Sequence, residues 1–217
     1  EQRETALKAL AEGKPLEQVK AAESLGVAEA ARTIPVLSKH LTDPDAAVRL
    51  AAANALWNLA GKNADAVAGA KPALTAALED PDSGAAMHAA GALATMKVPA
   101  ADLAPARRRV LRDGGGTPYV RFLAGRGLIG IDPPLPLLPA MLPYLDQASA
   151  AARRGASRNN LQLARSAFER LADTKDRALI APMQDELRRG SPGSAVLMRA
   201  LHRFSPRPDG WTDQLLL

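Results

Sequence analysis

The sequence predicts an all-α fold, a right-handed α-solenoid of about six helix pairs without a sheet. Three observations predict it. An alanine followed four residues later by leucine or phenylalanine recurs as Ala21/Leu25, Ala52/Leu56, Ala89/Leu93, Ala124/Leu128, Ala164/Phe168 and Ala200/Phe204, and the second members are 31, 37, 35, 40 and 36 residues apart. A period in that range marks stacked helical units, and helical spacing is what turns both members of such a pair to one face. Leu41-x-Asp43, Leu78-x-Asp80 and Leu111-x-Asp113, with the looser Leu145-Asp146, recur as helix endings. The chain is 47% apolar but only 3% aromatic, so its core is built from alanine and leucine, which let helix axes approach closely.

In chain order, the first pair is read at residues 2–11 and 16–28, parted by Gly13-Lys14-Pro15. The second, 33–41 and 45–60, has the clearest helix start. Asp43 is placed to accept an orphan backbone N–H, Pro44 at the first helical position lacks one, and Asp45 favours the positive end of the helix dipole. Val48, Ala52, Leu56 and Leu59 then share one face. Pro35 inside the preceding helix removes an N–H bond and kinks it. The third pair, 71–79 and 83–96, repeats the turn as Asp80-Pro81-Asp82, and the fourth, 101–112 and 119–129, turns at Gly114-Gly115-Gly116-Thr117-Pro118. The fifth, 137–145 and 157–171, is separated by a stretch, 147–160, with three arginines, no acid and no large apolar side chain. Little burial is available there to offset ordering entropy, which predicts a mobile protrusion with a frayed helical turn at its start. The sixth, 177–189 and 194–204, turns at Gly190-Ser191-Pro192-Gly193. Residues 1–217 read as a single array, with 205–217 the start of a further repeat or a linker. The opening Glu1-Gln2-Arg3, without methionine, fits a processed or excised segment.

Charge and chemistry narrow the function. The net charge is +5, and residues 101–217 hold 18 basic against 11 acidic groups, 17 of the 18 being arginine. Arg107-Arg108-Arg109 with Arg112 fall on one helix, point in several directions and read as a solvated outer face. There is no cysteine, which removes disulfides, thiolate nucleophiles and cysteine metal sites. His40, His88 and His202 fall in different repeats and form no local H-x-x-x-H pair, so no metal is expected. No G-x-S-x-G elbow is present, and the glycine run at 114–116 lacks the phosphate-loop frame. Neither a catalytic site nor a cofactor is expected within this segment. The apolar stretches are all shorter than the ~20 residues that span a bilayer. Cytoplasmic and periplasmic placement are not distinguished.

The stretch Leu41-x-Asp43-Pro44-Asp45-x-x-Val48-Arg49-x-x-Ala52-Ala53-x-Ala55-Leu56 resembles the HEAT repeat family, including the HEAT-like repeats of phycobilisome lyases. The resemblance covers about residues 2–206. It implies that the turn aspartate and an arginine at the place of Arg49 link neighbouring repeats. The corresponding positions are Gln18, Ala86, Arg121, Leu161 and Leu197, so the ladder is interrupted. HEAT-like arrays include DNA glycosylases that set a catalytic aspartate one helical turn from a tryptophan. Here Gly61 stands four residues after Trp57, and Leu215 four after Trp211.

The resemblance further implies a helical-repeat scaffold or protein-binding module, a non-catalytic segment of a larger bacterial protein. Such a module holds a protein partner or another domain of its own polypeptide. Nucleic-acid binding through the basic C-terminal half is the alternative, and a steep fall of affinity with salt would mark it. In HEAT-type arrays the second helices of the pairs line the concave side. Positions off the core stripe on those helices, Asn54, Asn58, His88, Tyr119, Phe122, Arg126, Arg170 and His202, are the expected recognition surface. Phe122 has a second reading: it aligns with Val19, Leu50, Met87, Gln162 and Met198, a mostly apolar set that suits packing of repeat against repeat.

Overall fold

The computed structural model describes residues 1–114, 116–155 and 158–204. Among them the chain forms twelve α-helices in consecutive pairs. These are α1 (Gln2–Glu12) and α2 (Pro15–Leu25), α3 (Ala30–His40) and α4 (Ala46–Lys62), α5 (Lys71–Ala77) and α6 (Ser83–Thr95). They continue as α7 (Ala100–Asp113) and α8 (Pro118–Leu128), α9 (Leu138–Arg153) and α10 (Arg158–Asp173), α11 (Ile180–Arg188) and α12 (Ser194–Leu201). Extended pairing among the described residues is limited to one bridge, Ile129 with Asp132. The expected further repeat at 205–217 lies outside the described residues.

Helix starts follow local chemistry, though not quite as the sequence reading assigns it. At the first Asp-Pro-Asp, Asp43 does not cap a helix. Its carboxylate accepts the Asp45 N–H at 2.9 Å, closing an Asx turn, and Asp45 is the true N-cap, accepting the Ala47 N–H at 2.8 Å. The second copy behaves alike: Asp80 accepts from Asp82, and Asp82 caps α6 by accepting from Ala85. The two aspartates divide two tasks, turn and cap, and the helix begins after both.

The first helices share a device as well. Proline stands six residues before Leu41, Leu78, Leu111 and Leu145, as Pro35, Pro72, Pro105 and Pro139. Proline leaves the carbonyl four residues earlier without its usual partner. Before α5 and α9 a short 3-10 turn supplies another: the Ala68 carbonyl accepts from Lys71 and the Leu135 carbonyl from Leu138. The tighter i to i+3 bond thus takes over where proline removes the i to i+4 bond. At the other end of a first helix, Gly114 adopts φ +65, the left-handed conformation that terminates α7.

The expected protrusion at 147–160 is corrected by α9, which continues unbroken to Arg153. Ala148 and Ser149 are buried, so small side chains supply the packing here in place of large apolar ones. Residues 156–157 lie outside the described set. Asp146, read as a turn residue, is inside this helix.

Two compact units divide the chain, Glu1–Val120 and Arg121–Leu217. In the first, α2 packs on α4 and α4 on α6, while α3 packs on α5 and α7 on α6. In the second, α9 packs on α10, α11 on α12, and α10 on α12. The core lies where the Ala/Leu pairs from the second onward meet, whereas Leu25 of the first pair is only half-buried. Ala52, Leu56, Ala89, Ala124, Leu128, Ala164, Phe168 and Ala200 have no exposed surface, and Leu93 and Phe204 almost none. The most enclosed helix is α6, whose Ala85 to Leu93 run is apolar on nearly every side, as burial against several neighbours requires.

Candidate functional site

On the second helices of the first unit, three rings form a row. Trp57 of α4 meets His88 of α6 edge to face, with centroids 5.4 Å apart at 76°, and His88 meets Tyr119 of α8 at 6.4 Å and 62°. All three are half-buried, seated by one side and open on the other. Two features hold them. Gly91 gives Trp57 room, because a Cβ at that position would lie 2.7 Å from the indole. His88 Nδ1 donates to the Gly84 carbonyl at 2.7 Å, since a carbonyl only accepts. That fixes the ring plane. Offset and edge geometries of this kind are the favourable arrangements of aromatic pairs.

The expected surface residues divide accordingly. His88 and Tyr119 come together, with Trp57, which the sequence reading left out. The row advances 31 residues at each step while the core leucines advance by more, so it runs diagonally across the helices. Counting fixed offsets from core positions cannot find it. Asn54 is half-buried and Asn58 exposed on the same helix, and Asn58 donates to Glu23 Oε1 of α2 at 2.8 Å. Phe122 is a correction: it is fully buried, its ring 4.6 Å from that of Tyr144, and it belongs to the core rather than to an open surface. Arg126 is half-buried, and Arg170 and His202 are exposed, on three separate elements of the second unit.

Polar links join one repeat to the next. Gln18 donates to the Leu10 carbonyl and presents its amide oxygen to His40 Nε2 at 2.8 Å. Arg49, at the equivalent place, donates to the carbonyls of Asp43 and Pro44 and forks onto Asp80 with bonds of 2.7 and 3.1 Å. The hydrogen bonds that Arg49 donates to the Asp80 carboxylate raise its pKa above the ordinary value. Where the series reaches Ala86 and has no arm to offer, Arg109 reaches back from α7 to Glu79 and to the carbonyls of Leu78 and Asp80. The arginine cluster is therefore not simply a solvated face, and Arg107 is itself buried. In the second unit, Asp146 accepts from Ser191 and from the Gly193 N–H, and Arg203 forks onto Asp173. The Arg203 hydrogen bonds hold the Asp173 carboxyl below the usual carboxylate range, as Arg3 does for Glu29.

The three histidines keep the separate roles their spacing suggests. His40 is buried between Gln18 and Asp43, His88 sits in the ring row, and His202 is exposed. Among the described residues no group of three or more His, Asp or Glu is placed to hold a metal ion. No described helix is long and apolar enough to cross a membrane.

Sequential helix pairs, tied through their turns by side-chain links within each unit, define a helical-repeat array. Residues 33–62, the span of α3 and α4, match the HEAT repeat family model, and this part of the chain is a HEAT repeat. No curated protein matches the chain.

Proposed function

We propose that this chain is a protein-binding scaffold that holds a partner protein, or another domain of its own polypeptide, on the second-helix face of its first unit. The observation that carries the reading is the Trp57–His88–Tyr119 row. Half-exposed aromatic rings held rigid by packing provide large contact area at small entropic cost, and such residues dominate protein interfaces. Asn54 and Asn58 beside them supply adaptable hydrogen bonds. The charge balance supports a protein in preference to a nucleic acid at this face, since residues 1–120 carry 14 basic and 14 acidic groups. A phosphate backbone is recognised by a cationic surface. Repeats of this family are typically non-catalytic, and the reading assigns no reaction to the segment. A larger bacterial polypeptide is the setting that the resemblance suggests.

Panning a random peptide library on the chain tests this. Selected peptides should lose at least tenfold in affinity for a His88→Gln, Tyr119→Ala variant that keeps the parent's helical circular dichroism. Peptides that bind parent and variant alike would remove this face from consideration.

A further inference from the structure

A cleft of about 840 Å³ opens in the second unit between the end of α9, one side of α10 and the turn that leads into α12. Its lining has two characters. Four arginines surround it, Arg153, Arg158, Arg165 and Arg199, and no aspartate or glutamate lines it. Between them lie aliphatic groups, among them Leu161, Val196 and Met198.

The cations are only partly compensated. Arg153 donates to the Pro192 carbonyl at 2.8 Å, which positions its guanidinium without cancelling its charge. Arg165 shares its Nε–H with Glu169 at 2.8 Å and keeps its remaining donors. Arg158 and Arg199 are exposed and make no ion pair or hydrogen bond among the described residues. Ser149 lines the cleft from α9, is 6% exposed, and its hydroxyl has no hydrogen-bond partner among the described residues. A helical serine can bond back to the carbonyl four residues earlier, and this hydroxyl does not. On a larger scale the whole net charge sits on this side of the chain, because residues 121–217 hold 14 basic against 9 acidic groups.

We propose that this cleft binds an acidic peptide segment of a partner protein, with one aliphatic side chain seated on Leu161, Val196 and Met198 and flanking carboxylates paired with the arginines. Planar guanidinium forks suit carboxylates. The aliphatic floor and the absence of any aromatic ring from the lining argue against single-stranded nucleic acid, which is held by stacking its bases. This second surface rests on the scaffold reading but draws on other residues than the ring row, and either can fail without the other.

The probe is a fluorescently labelled peptide of aspartate and glutamate with two central leucines, titrated against the whole chain. Arg158→Ala with Arg199→Ala should weaken binding at least tenfold. Lys8→Ala with Lys20→Ala, which removes the same charge from the first unit, should change it less than twofold. Replacing the peptide's leucines by serine should weaken binding at least fivefold, and the His88→Gln, Tyr119→Ala variant should bind the peptide as the parent does. Equal binding by the two arginine and lysine pairs, or indifference to the leucines, would overturn the proposal. So would a single-stranded oligonucleotide that displaces the peptide at equal charge concentration, since that would assign the cleft to nucleic acid.

Discussion

Gly91 shows how much of the candidate site depends on one missing methyl group. Helix propensity alone favours alanine over glycine by about 1 kcal/mol. The Trp57 indole, 2.7 Å from where a Cβ would stand, opposes that gain with overpacking that typically costs ~1 to 3 kcal/mol. The second effect wins here, because the indole is held between α4 and α6 and moving it also breaks its contact with His88. Gly91→Ala is therefore expected to lower stability by roughly 1 kcal/mol in urea unfolding and to shift Trp57 emission, whereas a rise in stability would show that the ring moves freely. Charge at the residue scale gives a second expectation. The Asp173 carboxyl is held low by Arg203, so the folded state favours its ionised form. The stabilisation is present above the ordinary aspartate value of about 4 and is lost as pH falls through the lower folded value. Thermal melts of the parent and Asp173→Asn should differ slightly at pH near 7 and converge on acidification, the difference being small because the pair is well exposed. A constant difference down to low pH would contradict this. Residue roles were unevenly legible in the sequence. The Ala/Leu core was readable because burial imposes strict periodicity, while Phe122 obeyed two patterns at once and only packing decided between them.

At the scale of elements, every helix but α9 stands where the repeat placed it, within a few residues at its ends. Their spacing was legible because each pair needs the same core register. What escaped was the length of α9, whose last turns are made of alanine, serine and glutamine. These side chains carry little apolar area, and a rule that looks for large hydrophobic groups passes over them. In an alanine-based array they pack by closeness of approach instead. Ala148 separates the two descriptions sharply. It is buried, so Ala148→Asp should cost ~3 kcal/mol or more, because an unpaired carboxylate would be forced into the interior. Urea unfolding unchanged by that substitution would restore a tolerant protrusion. The turns were half legible: Asp-Pro-Asp marked a helix start, but which aspartate caps the helix depends on an Asx turn that the sequence does not distinguish.

The whole molecule consists of two units with different electrical character, one neutral and one basic, each built from the same alanine and leucine packing. The neutral unit carries the ring row and the basic unit carries the arginine cleft. That division was only faintly legible beforehand. Charge asymmetry between the halves was plain from composition, but the ring row crosses repeats diagonally, and the cleft joins Arg153, Arg158 and Arg165 of the adjoining helices α9 and α10 to Arg199 of α12, a pairing that only the packing of α10 on α12 reveals. The central claim is that the second-helix face of the first unit recognises protein. Titrating the chain with a library-selected peptide while recording its amide and indole NMR spectrum tests this most directly, with the Trp57 indole signal assigned through Trp57→Phe. The account predicts that the Trp57 indole and the amides around His88 and Tyr119 shift together and saturate at one peptide concentration. Shifts confined to the first helices α3, α5 and α7, with the Trp57 indole unmoved at saturation, would contradict it.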